Sequence, residues 1–200
     1  MDNIAVLLLA AGASSRMAGQ DKLIQRIDGK PLLARICQRA DNTGLPCYVT
    51  LPSKTHPRAA HIGAAQIVPV PDTAEGMAAS IRAGVTALPD AIDAVMILPC
   101  DMPDLQTEDL LNLARRFHGP DSPVLRATTS TGTPGHPVLF PRRSFAGLRQ
   151  ITGDQGARAL LRQETVQHVA LPGQRAVTDL DTPEAWAKWR AAQRQAQPEI

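Results

Sequence analysis

The 200-residue sequence contains few aromatic residues and few cysteines. It has only two Trp, one Tyr and three Phe, so its core must consist mainly of aliphatic side chains. The three cysteines, Cys37, Cys47 and Cys100, are odd in number and show no C-x-x-C spacing. This pattern argues against a disulfide framework and a cysteine zinc site, and it is typical of a reducing cytosol.

Long apolar segments and clusters of like charge are also missing. The apolar run that begins at Ile4 is too short to span a membrane and lacks the flanks of a signal peptide. The net charge is only +2, and the longest basic runs are pairs of arginines. A nucleic-acid-binding protein usually concentrates its basic residues in one patch. We therefore expect a soluble, cytoplasmic protein with neither a membrane nor a nucleic acid as partner.

Strand-like and helix-like segments alternate along the chain, as an α/β fold requires. Apolar runs predict strands at 4–9, 47–51, 66–70, 94–98, 123–127, 137–140 and 166–171. Helical periodicity and capping residues predict helices at 32–43, 77–88, 107–117, 144–148, 155–163 and 183–194. The length suits a single domain, which we assign to residues 1–190, with a frayed tail at 191–200.

The most informative segment is the loop that follows the first predicted strand. After Leu9 the chain continues with small residues, Ala10-Ala11-Gly12-Ala13-Ser14-Ser15, and then supplies Arg16 and Lys22. Small side chains leave backbone N–H groups accessible to phosphates, and both basic residues stay charged at neutral pH. The G-x-G-x-x-G and Walker A motifs are absent. The loop predicts a site for a nucleoside triphosphate; the alternative is an ordinary strand-to-helix turn with solvated basic side chains.

A second candidate site follows the strand predicted at 94–98. Asp101 stands just beyond the C-terminal end of this strand, where ligands bind in open α/β sheets. Its carboxylate is a suitable oxygen ligand for Mg²⁺ on a triphosphate, and Pro99 and Pro103 restrict the backbone around it. The alternative is that Asp101 caps the next turn and Thr107 caps the helix beyond.

These segments resemble motifs of the MobA-like NTP transferases, nucleotidyltransferases related to molybdenum cofactor cytidylyl- and guanylyltransferases. The loop matches L-x-A-A-G-x-S-x-R-M…K, and residues 98–103 match L-P-x-D-x-P. The resemblance extends from Ile4 to Trp186. It implies a single-domain, three-layer Rossmann-like fold of the nucleotide-diphospho-sugar transferase type, with a mostly parallel mixed sheet. Ala18 replaces the glycine that many relatives have directly after Arg-Met.

The resemblance also implies roles for individual residues. Lys22 and Arg16 would hold the triphosphate and, with Asp101, form the catalytic set. Gly76 and Ser80 would lie near the base, although with Gly84 they also form a small-residue helix face that a strand could cover. The implied nucleotide-binding residues are Leu9, Ala10, Ala11, Gly12, Ser14, Ser15, Arg16, Lys22, Gly76 and Ser80.

Two later segments complete the implied site. Residues 179–184 resemble the family's D-[IV]-D-T-P element, in which Asp181 would join Asp101 in binding Mg²⁺. Asp181 or Thr182 is equally suited to cap the last helix. Residues 132–140 resemble a G-x-P-x-x-P-x-x-F element that would wall the acceptor pocket with Gly135, His136 and Pro137.

Within that wall, His136 would contact the phosphate or pterin of the acceptor, or only satisfy a backbone hydrogen bond. Residues 153–158 resemble a G-D-x-G-A-R element. There Asp154 is a candidate helix cap, and Arg158 is a candidate ligand for an anion or a partner on the helix face.

The predicted reaction transfers CMP from CTP to the phosphate of molybdenum-bound molybdopterin and releases pyrophosphate. Ala10-Ala11-Gly12 resembles the cytidylyltransferase branch, because guanylyltransferases of this family usually have Ala-Gly-Gly there. Such a reaction needs no protein nucleophile, and the sequence has no G-x-S-x-G motif. A transient complex with a molybdoenzyme or its chaperone is a further expectation. The alternatives are GTP as the nucleotide, a sugar or polyol phosphate as the acceptor, and a non-enzymatic carrier of the molybdenum cofactor.

Overall fold

A computed structural model describes residues 3–153 and 156–196. The strands, in chain order, are β1 Ile4–Leu9, β2 Arg26–Ile27, β3 Lys30–Pro31, β4 Cys47–Leu51, β5 Gln66–Pro69, β6 Ala94–Pro99, β7 Val124–Thr128, β8 Pro134–Pro141 and β9 Val166–Ala170. The α-helices are α1 Leu32–Asp41, α2 Met77–Ala87, α3 Thr107–Ala114, α4 Phe145–Leu148, α5 Arg158–Leu161 and α6 Pro183–Ala196.

Seven of these strands form one sheet in the order β5-β4-β1-β6-β8-β7-β9. The central strand β1 is parallel to both β4 and β6, and Leu7 lies opposite Tyr48 and Ile97. Strand β8 runs antiparallel to β6 and β7, whereas β9 is parallel to β7. The sheet is therefore mixed and mostly parallel, which confirms the predicted fold class.

Helices cover both faces of the sheet and make it the middle of three layers. On one face, Val6 and Leu8 of β1 pack in the same cluster as residues of α1, α3 and α6. On the other face, Ala5 and Leu7 pack with residues of α2 and α4. Alternate residues of a strand point to opposite faces, so β1 is apolar throughout because both of its faces are buried.

Most element boundaries agree with the sequence patterns, and the differences have local causes. Helix α6 continues to Ala196, so residues 191–196 are helical where a frayed tail was predicted. The helix predicted at 155–163 is limited to Arg158–Leu161, and the proposed cap Asp154 lies outside the described residues. The short hairpin β2–β3 was not predicted, although Asp28 and Gly29, with φ of 49° and 77°, form its turn.

The start of α3 differs from the sequence interpretation. The Thr107 hydroxyl donates a hydrogen bond to the Arg39 carbonyl at 2.9 Å. The Asp109 carboxylate instead accepts from the Gln106 backbone N–H at 2.8 Å. The alternative in which Thr107 caps this helix is thus wrong: Gln106 is the N-cap residue, and the Asp109 carboxylate in the first turn satisfies its N–H. Among the residues described, no helix is both long and apolar enough to cross a membrane.

Candidate active site

Two loops of the candidate site leave the same edge of the sheet. Leu9, the last residue of β1, pairs with Pro99, the last residue of β6. The Cys100 N–H then donates to the Leu9 carbonyl at 3.2 Å. The loop that follows β1 (residues 10–22, the phosphate loop) therefore begins beside the loop that carries Asp101. The parallel pairing of two adjacent strands produces this proximity.

The two predicted metal carboxylates converge on the ammonium group of Lys22. Lys22 Nζ lies 2.5 Å from Asp101 Oδ2 and also donates to Asp181 Oδ1. Arg16 Nη2 lies 2.9 Å from the second oxygen of Asp181, with its own side chain 71% exposed. The side chains of Lys22, Asp101 and Asp181 are only 15%, 13% and 24% exposed. All four residues predicted to handle phosphate and metal thus meet at one point.

Backbone contacts explain why Asp181 is available to this cluster. The Leu180 N–H donates to the Asp101 carbonyl at 3.0 Å, which ties the two aspartate segments together. The Thr182 hydroxyl accepts from the Ala185 N–H at 3.2 Å and so caps α6. Of the two candidate caps, Thr182 takes this role, and the Asp181 carboxylate faces Lys22.

The cluster shifts the pKa values of its members. Burial alone would lower the pKa of Lys22, but the charges and hydrogen bonds of Asp101 and Asp181 outweigh it and raise this pKa. Burial would raise the pKa of Asp181, but Lys22 and Arg16 lower it below its usual range. Asp179 has a raised pKa because it is partly buried and faces the charges of Asp101 and Asp181. The raised pKa of Lys22 and the lowered pKa of Asp181 both favour the charged forms, so an ammonium–carboxylate pair lies at the centre of the site at neutral pH.

The phosphate loop presents a row of backbone donors. Within the part of the chain that the structure describes, the N–H groups of residues 11–16 have no hydrogen-bond acceptor. Ser14 has a φ of 54°. A Cβ added at Gly12 would meet no atom within 4 Å, so packing inside the chain does not require glycine there. A run of bare N–H groups beside open space is suited to an anion.

Ala18, which stands where many relatives have glycine, leads to a prediction about the stability of the protein. Ala18 has a φ of 50°, in the left-handed region that costs a residue with a Cβ about 1–2 kcal/mol. Ala18→Gly should therefore raise the free energy of unfolding by about 0.5–1 kcal/mol after the greater entropy of the unfolded glycine is subtracted. The measurement is urea denaturation. The exposed Ala64 lacks a positive φ, so Ala64→Gly should instead lower stability by about 0.5 kcal/mol; equal effects would contradict this explanation.

Arg58 is a site residue that the sequence analysis missed. It lies in the 3₁₀ turn Pro57–His61 after β4, and its guanidinium donates hydrogen bonds to residues of the phosphate loop. Nε and Nη2 donate to the two carboxylate oxygens of Asp21 at 2.7 and 2.8 Å. Burial would raise the pKa of Asp21, but Arg58 lowers it below its usual value. No motif marks Arg58 in the sequence, because its partners are 37 to 48 residues away.

A cleft of about 180 Å³ lies beside the phosphate loop. Its lining contains most of the predicted nucleotide-binding residues: Leu9, Ala10, Ala11, Gly12, Lys22, Gly76 and Ser80, together with Asp101. Ser14 and Ser15 line an adjoining cleft instead. Gly84 serves packing, since a Cβ there would lie 2.4 Å from the Leu7 side chain of β1. We refer to the first of these spaces as the nucleotide cleft.

A second, larger cleft of about 580 Å³ lies on the β8 side of Asp101, and we refer to it as the acceptor cleft. Gly135 and His136 line it, as does Arg16. Pro137 does not, because it is buried within β8. A Cβ at Gly135 would come within 1.8 Å of the Ala176 carbonyl oxygen, so this strand can approach the neighbouring loop only with glycine there.

Charged residues of both signs line the acceptor cleft. Its lining includes the acidic residues Asp101, Asp179 and Asp181 and, besides Arg16, the basic residues Arg126 and Arg158. Neither of these arginines forms an ion pair with a described residue. Burial, together with the charges of Arg126 and Arg158, lowers the pKa of His136 to about 4. His136 is therefore neutral at pH 7, and the arginines carry the positive charge of this cleft.

The chemistry of the central carboxylates fits a divalent cation. Asp101 and Asp181 direct oxygens to one point, and Mg²⁺ in proteins is commonly held by one or two carboxylates, with water and substrate phosphates as the other ligands. The described residues contain no cluster of three or more His, Cys, Asp or Glu side chains suited to a metal. A pair of carboxylates could hold such an ion only with water or substrate oxygens as its remaining ligands.

Comparison with known proteins is consistent with this geometry. The MobA-like NTP transferase domain family matches residues 6–169. A probable molybdenum cofactor guanylyltransferase of Trichormus variabilis is 27% identical over 189 residues, covering 92% of this chain and 89% of that protein. The molybdenum cofactor guanylyltransferase of Burkholderia vietnamiensis is 31% identical over 163 residues, covering 79% and 76%.

Solved structures share the fold. The homologue of Mycobacterium tuberculosis Rv0371c from Mycobacterium sp. strain JC1 superimposes with a TM-score of 0.85 at 20% identity, covering 98% of both chains. The complex of Rv0371c from Mycobacterium tuberculosis with manganese gives a TM-score of 0.77 at 22% identity, covering 93% of this chain and 97% of that one. The chain belongs to the MobA-like NTP transferase family and is a nucleotidyltransferase.

Proposed function

We propose that this enzyme transfers CMP from CTP to the phosphate of molybdenum-bound molybdopterin. One observation supports this most directly: Asp101 lines both the nucleotide cleft and the acceptor cleft. Lys22 and Asp181 meet it there. A phosphorus atom bound at this junction would be open to attack from the acceptor cleft while its leaving group stays on the phosphate loop.

In the proposed reaction, an oxygen of the acceptor phosphate attacks the α-phosphorus of the nucleotide. A new P–O bond forms, the bond to the bridging oxygen breaks, and pyrophosphate leaves with that electron pair. The N–H groups of residues 11–16, with Lys22 and Arg16, hold the charged phosphates and fix the in-line geometry. A protein nucleophile has no part in it.

Asp101 and Asp181 are the proposed ligands of Mg²⁺. When bound, the ion would neutralise charge on the phosphates. The manganese bound in the structurally similar Mycobacterium tuberculosis protein supports a divalent ion in this fold. Lys22 contacts the same two carboxylates, so it would be drawn toward the phosphates as the ion takes these oxygens.

The proposed acceptor lies against Arg126 and Arg158, whose charges suit an anionic molecule. Gly135 and the neutral His136 would form the adjoining wall. The names of the relatives, which are molybdenum cofactor guanylyltransferases, support a molybdenum cofactor as acceptor. A complex with a molybdoenzyme or its chaperone, and a location in the cytoplasm, stay predictions.

The choice of CTP depends on Ala11. Ala11 is buried and packs with Val70 and Ala79, so its methyl group fills the wall between the phosphate loop and α2. We infer that this filled wall favours the smaller pyrimidine base. GTP is the second candidate, because the named relatives are guanylyltransferases.

A thermal-shift comparison of CTP, GTP and ATP with Mg²⁺ tests the base preference. A ligand at 100 times its Kd stabilises the folded state by about 2.7 kcal/mol, or roughly 5–10 °C for a chain of this size. We expect this shift with CTP and a clearly smaller one with GTP. In Ala11→Gly the thermal shifts with CTP and with GTP should differ less, because the missing methyl group leaves more room for the larger base. If GTP gives the larger shift in the wild type, GTP rather than CTP is the nucleotide substrate.

Product formation is the decisive assay for the reaction. Labelled CTP and molybdenum-loaded molybdopterin should release pyrophosphate and yield the cytosine dinucleotide. If the protein binds the acceptor but neither binds a nucleotide nor releases pyrophosphate, it is a carrier. Pyrophosphate release with a sugar or polyol phosphate alone would reassign the acceptor.

A further inference from the structure

Arg58 carries a charge beneath the phosphate loop. Its side chain is 3% exposed, although a buried charge is costly unless it is fully paired. Every nitrogen of its guanidinium donates a hydrogen bond, and all the acceptors belong to the phosphate loop. The structure thus stabilises a buried cation at the one segment that is expected to receive a polyanion.

The contacts span the whole loop. Nη1 donates to the carbonyl oxygens of Ala10 and Gly12 at 2.5 and 2.8 Å. Nη2 donates to the Ser14 hydroxyl at 3.1 Å and to Asp21 at 2.8 Å. A lysine could not reproduce this set, since an ammonium lacks the planar arrangement of five donors.

These contacts determine where the loop's own donors point. In a planar trans peptide, the carbonyl oxygen of one residue and the N–H of the next point in opposite directions. Because the Ala10 and Gly12 carbonyls point to Arg58, the N–H groups of Ala11 and Ala13 point away from it. Both belong to the row of N–H groups that find no acceptor among the described residues.

The same contacts reach Lys22. The Ser14 hydroxyl, held by Arg58, accepts from the Lys22 backbone N–H at 3.3 Å. Asp21, held in bidentate fashion, precedes Lys22 directly and accepts from the Leu23 N–H at 3.0 Å. Arg58 therefore restrains the backbone from which the Lys22 side chain extends. It does not line the nucleotide cleft, and in the adjoining cleft, which it lines beside Ser14 and Ser15, its side chain is only 3% exposed.

We propose that Arg58 is a positioning residue that pre-organises the phosphate loop for the triphosphate. It orients the N–H groups of Ala11 and Ala13 and restrains the backbone of Lys22, and it does not touch the substrate. The inference rests on the proposed function in one respect, namely that the loop binds the phosphates of a nucleotide.

The test compares affinities for a nucleoside triphosphate, the corresponding monophosphate and the nucleoside in wild type and Arg58→Lys. The probes are CTP, CMP and cytidine with Mg²⁺, or the guanine series if the wild type prefers it. Arg58→Lys keeps the charge and loses the geometry. Because each lost charge-assisted hydrogen bond amounts to about a tenfold change, we expect triphosphate affinity to fall by about tenfold to a hundredfold. Nucleoside affinity should change less than about twofold.

Arg143→Lys is the matched control. Arg143 also donates to two backbone carbonyls, those of Pro120 and Ser122, and to the carboxylate of Glu164, but it contacts no residue of the phosphate loop. It should leave all three affinities unchanged. If Arg58→Lys does not fold, as judged by circular dichroism, Asp21→Asn replaces it, and a loss confined to the phosphorylated ligands is again expected.

The outcomes separate this inference from the proposed function. A wild-type protein that binds no nucleoside triphosphate would overturn the proposed function and, with it, the role of the loop. A wild type that binds the triphosphate, with variants that bind it equally well, would overturn only the role of Arg58. An equal loss of affinity for triphosphate and nucleoside would also overturn it, because a general structural defect does not depend on phosphate number.

Discussion

Asp101→Asn should reduce nucleotidyl transfer by about 10²–10³-fold or more, with the fold intact. The substitution keeps the size of the side chain and removes the charge. Asp101 lines both clefts, as Met77 and Pro99 do, and of these three it is the one that pairs with Lys22. Its loss should weaken binding of the divalent ion at the point where the reacting phosphates would meet. The measurements are kcat from pyrophosphate release and Mn²⁺ affinity by titration calorimetry in the presence of the nucleotide.

Asp104→Asn is the control for this variant. Asp104 lies in the same loop, but its carboxylate accepts from the Trp189 indole N–H at 2.9 Å, and an asparagine oxygen can do the same. We expect a change in kcat of less than about twofold and an unchanged thermal midpoint. Full activity in Asp101→Asn would show that this carboxylate has no essential part in the reaction.

Lys22→Met should also lower kcat by about 10²–10³-fold, for a different reason. The ammonium is the charge nearest to Asp101 and Asp181, and the variant removes a cation that would otherwise pair with the triphosphate. Among the four lysines of the chain, Lys22 alone contacts both aspartates. We therefore expect triphosphate affinity to fall together with kcat.

Divalent-ion affinity distinguishes this variant from Asp101→Asn. With the ammonium gone, Asp101 and Asp181 keep only the exposed Arg16 guanidinium as a counter-charge, and two carboxylates with less positive charge beside them attract a divalent cation more strongly. Mn²⁺ affinity in Lys22→Met should be equal to or higher than that of the wild type, whereas Asp101→Asn lowers it. Lys54→Met, at an exposed position, serves as control. Undiminished turnover in Lys22→Met would reject the catalytic role of Lys22.

The elements near the site could be predicted because their signals are local. The strands at 4–9 and 47–51 have the predicted boundaries, since buried parallel strands are continuous apolar runs. The phosphate loop and Asp101 lie at the same edge of the sheet because β1 and β6 are adjacent parallel strands. The family motif added Asp181, which local pattern alone could not separate from a helix cap.

The remaining parts of the site depend on contacts between distant segments. Arg58 and Arg126 carry no motif, and nothing near them in sequence indicates that one lies under the phosphate loop and the other in the acceptor cleft. The small residues at 76, 80 and 84 are spaced four apart, yet they contact different parts of the molecule. Gly84 packs on β1, whereas Gly76 and Ser80 line the nucleotide cleft.

The sequence by itself determined the α/β class, the order of its strands along the chain and the segments that bear phosphate-binding and metal-binding residue types. These features depend on apolar periodicity, small side chains and charge over a few consecutive positions. Only the tertiary structure decided that Lys22 lies between Asp101 and Asp181, that Thr182 caps α6 and that Arg58 holds the phosphate loop. Such contacts join residues far apart in the chain, and packing of the whole sheet, rather than any local preference, determines which of them meet.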